Sequence, residues 1–526
     1  MTATSPDLQS SRPSATDIRS ATRGEEPVGL TWLAGLGSLG VGAFAAWHYW
    51  RAGLTLSHYD ARAHLVVARR VLDSITPGWQ QVGAVWLPLP HLINLFPVQI
   101  DWLYRTGASA VAVSVVAFAI AVSSVVWLIR RVTGSRSAAA AGACVLALNP
   151  NVLFLQGTPM TEPLLMAFSG LGTVLLDRWV RHCQPSAELE AGNCIRLRDS
   201  TARAGWVMAA ACLTRYEAWP MTAAALAAAW WVLCRQGFSA SESGRRVLSL
   251  ARYPIAAVLI FLLNSRIAVG SWLVSSGFFI PENTARGRPL EALSQVFWGM
   301  QALGGEILLA VAAAGLAGAF IAALISRTRA AVMLPLALTA AAILPWYAFV
   351  QGHPFRVRYL VPLLFAEAVC AGLAVGLTRR IAPICAALVI ASALWQNPPL
   401  MAEAPMVLEA QWDLPNSRER THVTEYLRGA YDGTKILISM GALAHYMHEL
   451  SGAGFRIADF VHEGNHDIWD AALEAPHPFV GWVMIEEHAR GGDLLATLAR
   501  QNPHFLDGFV RVAQGGGVAL YRRMKN

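Results

Sequence analysis

The sequence predicts an all-α polytopic membrane protein of about eleven transmembrane helices, with a C-terminal external α/β domain. Three observations carry this expectation. Apolar stretches of roughly 20 residues, the length that crosses ~30 Å of hydrocarbon as a helix, recur between residues 29 and 397. Only 14% of the 526 residues are charged, against about 25% in an average soluble chain, and the mean hydropathy is +0.42. After residue 398 the pattern changes to short alternating strands separated by helix-like segments.

The predicted spans lie near 29–50, 107–129, 137–156, 163–180, 204–218, 220–236, 254–271, 304–326, 331–350, 359–378 and 381–397. Backbone amides in lipid must pair internally, so each is expected to be a helix. Residues 1–28 are rich in Ser, Thr and Arg and are expected to form a disordered cytoplasmic tail. The apolar stretch that follows is longer than the core of a cleaved signal peptide, so it is expected to remain as the first span.

Arginines set the orientation. They cluster after alternate spans, at Arg130, Arg131 and Arg136, at Arg178 and Arg181, at Arg235, Arg245 and Arg246, at Arg327 and Arg329, and at Arg379 and Arg380. The positive-inside rule makes those loops cytoplasmic. The amino terminus is then cytoplasmic and the carboxyl terminus periplasmic or extracellular, as expected of a multi-pass protein of the plasma (inner) membrane. The net charge of +7 restates this bias and is no argument for nucleic acid, since no basic stripe with interleaved aromatics accompanies it. Of the seven cysteines, Cys144, Cys212, Cys234, Cys370 and Cys385 fall in spans and Cys183 and Cys194 in a cytoplasmic loop, so no external disulfide is implied.

Three regions of substance face outward: a long first loop (51–106), a middle loop (272–303) and the domain 398–526. In the last, "KILISM", "FRIADFV" and "VGWVMIEE" read as strands, "ALAHYMHEL", "HDIWDAALEA" and "DLLATLAR" as helices, and "GFVRVAQ" and "GVALYRRM" as a closing hairpin about a glycine turn.

Polar residues gather on the outer side. Asp60 and His64 open the first loop, Glu162 stands at the outer end of the fourth span, and Arg215 and Glu217 lie in the turn between the fifth and sixth. Glu282, Arg286 and Arg288 follow the seventh span, and His353, Arg356, Arg358 and Tyr359 follow the ninth. Ionisable groups at membrane depth are costly unless they serve a site, so their convergence on one side is the main functional signal. Each also has a local reading. Asp60 is placed to cap the helix "ARAHLVVARRVLD", with His64 one turn on. Glu162 can cap a helix, Arg215 can pair with Glu217, and Arg358 can reach lipid headgroups. Arg62, Arg69 and Arg70 are expected at headgroups or in solvent. Trp79 and Trp86, with the neighbouring prolines, suit a bent amphipathic segment along the membrane interface.

Taken in order, "SHYDARAH", "WLPLPHLI", "TPMTEPLL" and "RVRYLVPLL" resemble the motifs of GT-C glycosyltransferases, in particular the family 39-like set that includes protein O-mannosyltransferases and lipid A aminoarabinose transferases. The likeness covers roughly residues 29–397. It implies a GT-C-like bundle and a polyprenyl-phosphate-linked sugar as donor, with a lipid, glycan or protein as acceptor at the bilayer surface. On this reading Asp60 is the general base of an inverting displacement and Glu162 a second catalytic acid. Arg215, Arg356 and Arg358 would clamp the phosphate, and His64, Trp86, Glu217, His353 and Tyr359 complete the candidate substrate-binding set. Where many relatives carry a second acid beside the first-loop aspartate, Ala61 and Arg62 follow Asp60, which leaves a divalent metal ion an open question.

Two other classes compete. "HEGNH" fits H-E-x-x-H at His462, Glu463 and His466, a zinc-protease spacing when helical, but Gly464 and Asn465 disfavour helix and a strand-to-helix loop is expected. A secondary transporter calls for polar breaks near mid-membrane, for which Asn149 with Pro150, Asn264 and Arg266 are the candidates.

Overall fold

The computed structural model describes residues 28–183, 193–274, 283–488 and 491–524. The expected tail before Val28, Glu282 and the side chain of Cys194 lie outside them. Within the described residues, six helical stretches are both long and apolar enough to cross a membrane. These are Val28–Arg51, Ala108–Thr133, Ala240–Val269, Glu306–Ile325, the broken run Arg327–Val350, and Val357–Leu377. The first exposes Trp32, Leu33, Leu36, Phe44, Trp47 and Trp50, an apolar face that only lipid would cover without cost.

A further candidate is the pair Arg136–Ala147 and Pro150–Gln156, bent by 63°. Pro150 has no amide hydrogen to continue the ladder, and the Asn149 side chain accepts from the amides of Asn151 and Val152 instead. Asn149 is therefore a helix cap, which accounts for a polar residue at that depth. The other expected spans are also helices, but Glu162–His182 carries Asp177, Arg178 and Arg181, and Ala382–Gln396 has only 15 residues. Among the described residues, length and apolarity together single out six or seven spans, and the expected count of eleven is not confirmed.

Val361–Leu377 is buried along almost its whole length. It packs closely on Glu306–Ile325 because Gly315 has no Cβ, which would collide with the Cys370 carbonyl. The middle loop contains a helix that was not expected, Pro289–Gly304, whose Ala292, Val296, Met300 and Leu303 face the core.

The carboxyl-terminal strands are β1 (Ile436–Ile438), β2 (Phe460–Val461), β3 (Trp482–Glu486), β4 (Phe509–Gly515) and β5 (Val518–Arg523). They form one sheet of order β2-β1-β3-β5-β4, parallel from β2 to β3 and antiparallel beyond. Gly516 and Gly517, at φ 55° and 81°, make the β4–β5 turn. The segments expected as helices are Met440–Ser451, Asp467–Glu474 and Leu494–Gln501, and the expected strands are strands except "FRIADFV", in which Ile457–Asp459 is a 3-10 turn and only Phe460–Val461 pairs.

The sheet does not stand apart from the membrane part. The first-loop helix Tyr59–Arg70, expected to be amphipathic, is buried from Asp60 to Arg69. Its Ala63, Leu65, Val66 and Ala68 share one apolar cluster with Val98, Tyr104, Ile436, Leu443, Met447 and Trp482. The arginines expected at headgroups are enclosed with it. Arg62 pairs with Asp413 at 3.2 Å and closely with Glu449, and Arg69 with Asp73 and Asp101 at 3.0 and 2.6 Å. Arg70 donates to the Gln81 carbonyl and lies against Met440. A hydrophilic face covered by another layer reads in sequence like one that faces water.

Candidate active site at the helix ends

Four chain segments meet beside the Tyr59–Arg70 helix. Asp60 lies in its first turn, but the capping residue is His58, whose Nδ1 accepts from the Asp60 amide at 3.1 Å. The aspartate is therefore not spent on the cap, and its side chain pairs closely with Arg358. Arg358 sits in the short 3-10 turn Val357–Leu360, directly before the buried helix. Its Nε also faces Glu162 at 3.7 Å. Glu162 is the first residue of Glu162–His182, followed by Pro163, which suits a helix start. Arg215 joins the group from the turn after Asn193–Cys212, donating to Glu162 at 2.8 Å, to Thr161 at 3.0 Å and to Glu217 at 2.6 Å.

The outcome is a continuous chain of charges, Asp60–Arg358–Glu162–Arg215–Glu217, drawn from positions as far apart as 60 and 358. Glu162 is fully buried, and Asp60, Glu217 and Arg358 are nearly so. Buried charges persist only when paired. Yet the pairing is incomplete: Arg358 Nε and Glu162 Oε2 are enclosed and have no hydrogen-bond partner.

Burial alone would raise the pKa of Asp60, but Arg358, with His58 and His64 behind it, holds it down at about 2. His64 turns to His91 rather than hydrogen-bonding Asp60; its Nδ1 is 3.0 Å from the His91 Nε2. Burial and the adjacent His91 push the His64 pKa well below the ordinary value, and burial with Arg70 brings His91 to about 3. Both rings are neutral at pH 7, one donating to the other. Trp86 packs on His64 at 4.2 Å, so it belongs to the wall of the site rather than to a free interfacial belt. Trp79, in contrast, is exposed and donates to Asn264, which engages one of the mid-membrane candidates.

Tyr359 lies under Arg358, 5.4 Å from its guanidinium, and His353 meets Tyr359 edge-on at 5.1 Å. Arg356 is half-buried with its guanidinium 5.9 Å from the Trp412 ring, and makes no ion pair among the described residues. Of the predicted stretches, residues 283–288 pack on the His353 loop through Asn283, which donates to the His353 carbonyl, but Arg286 and Arg288 are exposed, and Arg288 pairs with Glu291 at 3.1 Å.

Among the described residues no three or more His, Cys, Asp and Glu side chains come together as a metal site. A guanidinium stands between Asp60 and Glu162, so these two acids do not fit a shared divalent cation as arranged. In the C-terminal domain, Glu463 accepts from Ser439 and from the amides of Met440 and Gly441, which caps the helix Met440–Ser451. His462 accepts from the Gly464 amide. Glu463–Asn465 is a 3-10 turn between strand and helix, so the H-E-x-x-H residues do not share a helix face.

Sequence reasoning missed two acids. Glu409, on Pro405–Ala410 beyond the last span, approaches His58 Nε2 at 3.9 Å. No motif marks it. Glu367 is buried within Val361–Leu377 against Gly304, and neither carboxylate oxygen has a partner. A lone acid in a predicted span was the available signal.

The long apolar helices define an integral membrane protein with a cluster of buried charges at its helix ends. The fold is shared with ArnT from Cupriavidus metallidurans, in the apo state at a TM-score of 0.58 and 12% identity over 92% of this chain and 98% of that one. The same enzyme bound to undecaprenyl phosphate matches at 0.53 and 12% over the same shares. No family model matches the sequence, and no curated protein matches it either.

Proposed function

We propose that the protein is a membrane glycosyltransferase that moves a sugar from a polyprenyl-phosphate donor to an acceptor at the outer face of the membrane. The observation that carries this reading is the buried chain Asp60–Arg358–Glu162–Arg215–Glu217, with enclosed atoms still lacking partners, on a fold shared with ArnT. Buried polar atoms without partners call for an explanation, and a bound substrate is one. That ArnT was solved with undecaprenyl phosphate supports a lipid phosphate as the donor's carrier.

The arrangement suggests an order of events. Arg215 is committed to two carboxylates and Arg358 to Asp60, so Arg356 is the guanidinium ready to receive an incoming phosphate. A phosphate there competes for Arg358 as well. Loosening the Arg358–Asp60 pair removes the main force that holds Asp60 acidic, and raises its basicity as the donor arrives. Asp60 then takes the proton of an acceptor hydroxyl or amine while that atom attacks the anomeric carbon. The carbon–oxygen bond to phosphate breaks, and the leaving phosphate keeps the electron pair beside Arg356 and Arg358. One such displacement inverts the anomeric centre. Glu162 acts by holding Arg215 and Arg358 apart at the correct spacing.

The test is incubation of the purified protein, in vesicles that also hold a cell-envelope extract as the source of acceptor hydroxyls and amines, with polyprenyl-phosphate sugars carrying label in the sugar. Label in a new covalent product is expected, with loss of the product when Asp60→Asn replaces the wild type. Full transfer by Asp60→Asn would remove Asp60 as the base. A second reading, secondary transport, has Glu367 in its favour, a partnerless acid in a span. Label that crosses intact vesicles without entering a new covalent product would favour it.

A further inference from the structure

The segment after the last span brings two more side chains to the edge of the site. Asp60, Glu162 and Glu217 each touch a guanidinium. Glu409 does not: its one ion-pair partner among the described residues is His58, 3.9 Å away. That separation is too long for a hydrogen bond. His58 Nδ1 already accepts the Asp60 amide, which leaves the ring proton on Nε2, facing Glu409 with no other partner. Burial favours the neutral acid, but His58, Arg358 and Arg356 hold the Glu409 pKa below the ordinary glutamate value. Glu409 is thus a mostly buried carboxylate at neutral pH that accepts no hydrogen bond among the described residues.

Beside it Trp412 is 47% exposed. Its ring meets Tyr59 edge-on at 5.5 Å, and Tyr59 stacks on His58 at 4.7 Å, so Glu409 and Trp412 flank one aromatic pair. Arg356, which makes no ion pair among the described residues, lies over the same tryptophan. A sugar ring presents an apolar C–H face and an edge of hydroxyl donors, the complements of an open indole and a partly filled carboxylate.

We propose that Glu409 and Trp412 form a sugar subsite that receives the glycosyl group of the lipid-phosphate donor, its phosphate resting on Arg356. This rests on the donor assignment above. It makes the segment beyond the last span part of the active site and the place where the transferred sugar is selected.

The experiment uses the full chain in nanodiscs and two kinds of probe: undecaprenyl phosphate, and undecaprenyl phosphate esterified with glucose, mannose, galactose or arabinose. Affinities are read by competition against labelled undecaprenyl phosphate. The wild type is expected to prefer at least one ester over the sugar-free lipid. Glu409→Gln and Trp412→Ala should weaken that ester about tenfold, the loss of one charged hydrogen bond or one stacked ring, and leave the sugar-free lipid unchanged. Trp412→Phe should retain most of the preference, which separates stacking from misfolding. Equal weakening of both probes would place Trp412 among the headgroups and overturn the subsite, as would unchanged affinity for the ester. A wild type that prefers no ester also overturns it. A wild type that binds neither probe overturns the donor assignment itself, and the subsite with it.

Discussion

Two clusters of buried arginines and acids lie close to the Asp60 helix, and they are built to opposite ends. One is the site chain around Arg358 and Arg215. The other joins Arg62 of that helix to Asp413, Arg420 and Glu449 beneath the sheet. Arg420 is saturated, its three nitrogens donating to both carboxylates at 2.8–3.2 Å, with Ser417 adding a bond to Glu449 at 3.0 Å. In the site the central arginine and its acid each keep an enclosed atom without a partner, Arg358 Nε and Glu162 Oε2; in the joint Arg62 Nε does so too, but the central Arg420 and both acids do not. Saturation is what a structural joint requires, since each missing bond in a buried ion cluster destabilises it. Incompleteness is tolerable where a ligand supplies the remaining partners. The same residue types therefore lock the sheet to the helix in one place and leave room for chemistry in the other.

The difference can be tested from both sides. Arg358→Ala should have the largest effect: transfer falls by a factor of about 10³ or more, because base control and leaving-group stabilisation go together. A loss below tenfold, measured with labelled donor, would break the distinction. Arg420→Ala should act on stability instead, leaving two buried carboxylates short of a partner at a cost of about 3–5 kcal/mol. A large drop in Tm is expected, with transfer per folded molecule close to wild type.

Acid titration comes next. The folded pKa of Asp60, about 2, lies below the ordinary carboxylate value of about 4. Its contribution to stability is then complete above about pH 4 and is lost as the pH falls through about 2. Asp60→Asn should remove that part of the acid dependence of Tm, and an unchanged profile would count against the Arg358–Asp60 pair. The smallest effect is expected from Glu463→Gln. It weakens a helix cap worth about 1 kcal/mol and leaves zinc content and transfer unchanged.

Much of the fold was legible in the sequence. Hydropathy over about 20 residues marks a span, and period-two alternation with glycine turns located β1 to β5 and the helices between them. The candidate site was legible as a list, because charge at the ends of apolar segments is conspicuous. Asp60, Glu162, Arg215, Glu217 and Arg358 do meet. Their pairing was not legible: the order of the chain says nothing about which guanidinium lies between which carboxylates. His58 as the cap, and Glu409 as a neighbour of the site, were missed because each depends on a ring orientation or on contact across some 350 residues. Arg62 was misread for a related reason, since its partners Asp413 and Glu449 lie in another layer.

By itself, then, the sequence determined the membrane habit of the chain, most strands and helices of its C-terminal sheet, and the list of polar groups at helix ends that form the cluster. These follow from local periodicity and from the cost of placing charge in hydrocarbon. Tertiary structure alone decided that the Tyr59–Arg70 helix is enclosed between membrane bundle and sheet, and that Arg358 divides Asp60 from Glu162. Both depend on distant segments meeting in a region of low dielectric, where a charge is stable only beside its partner.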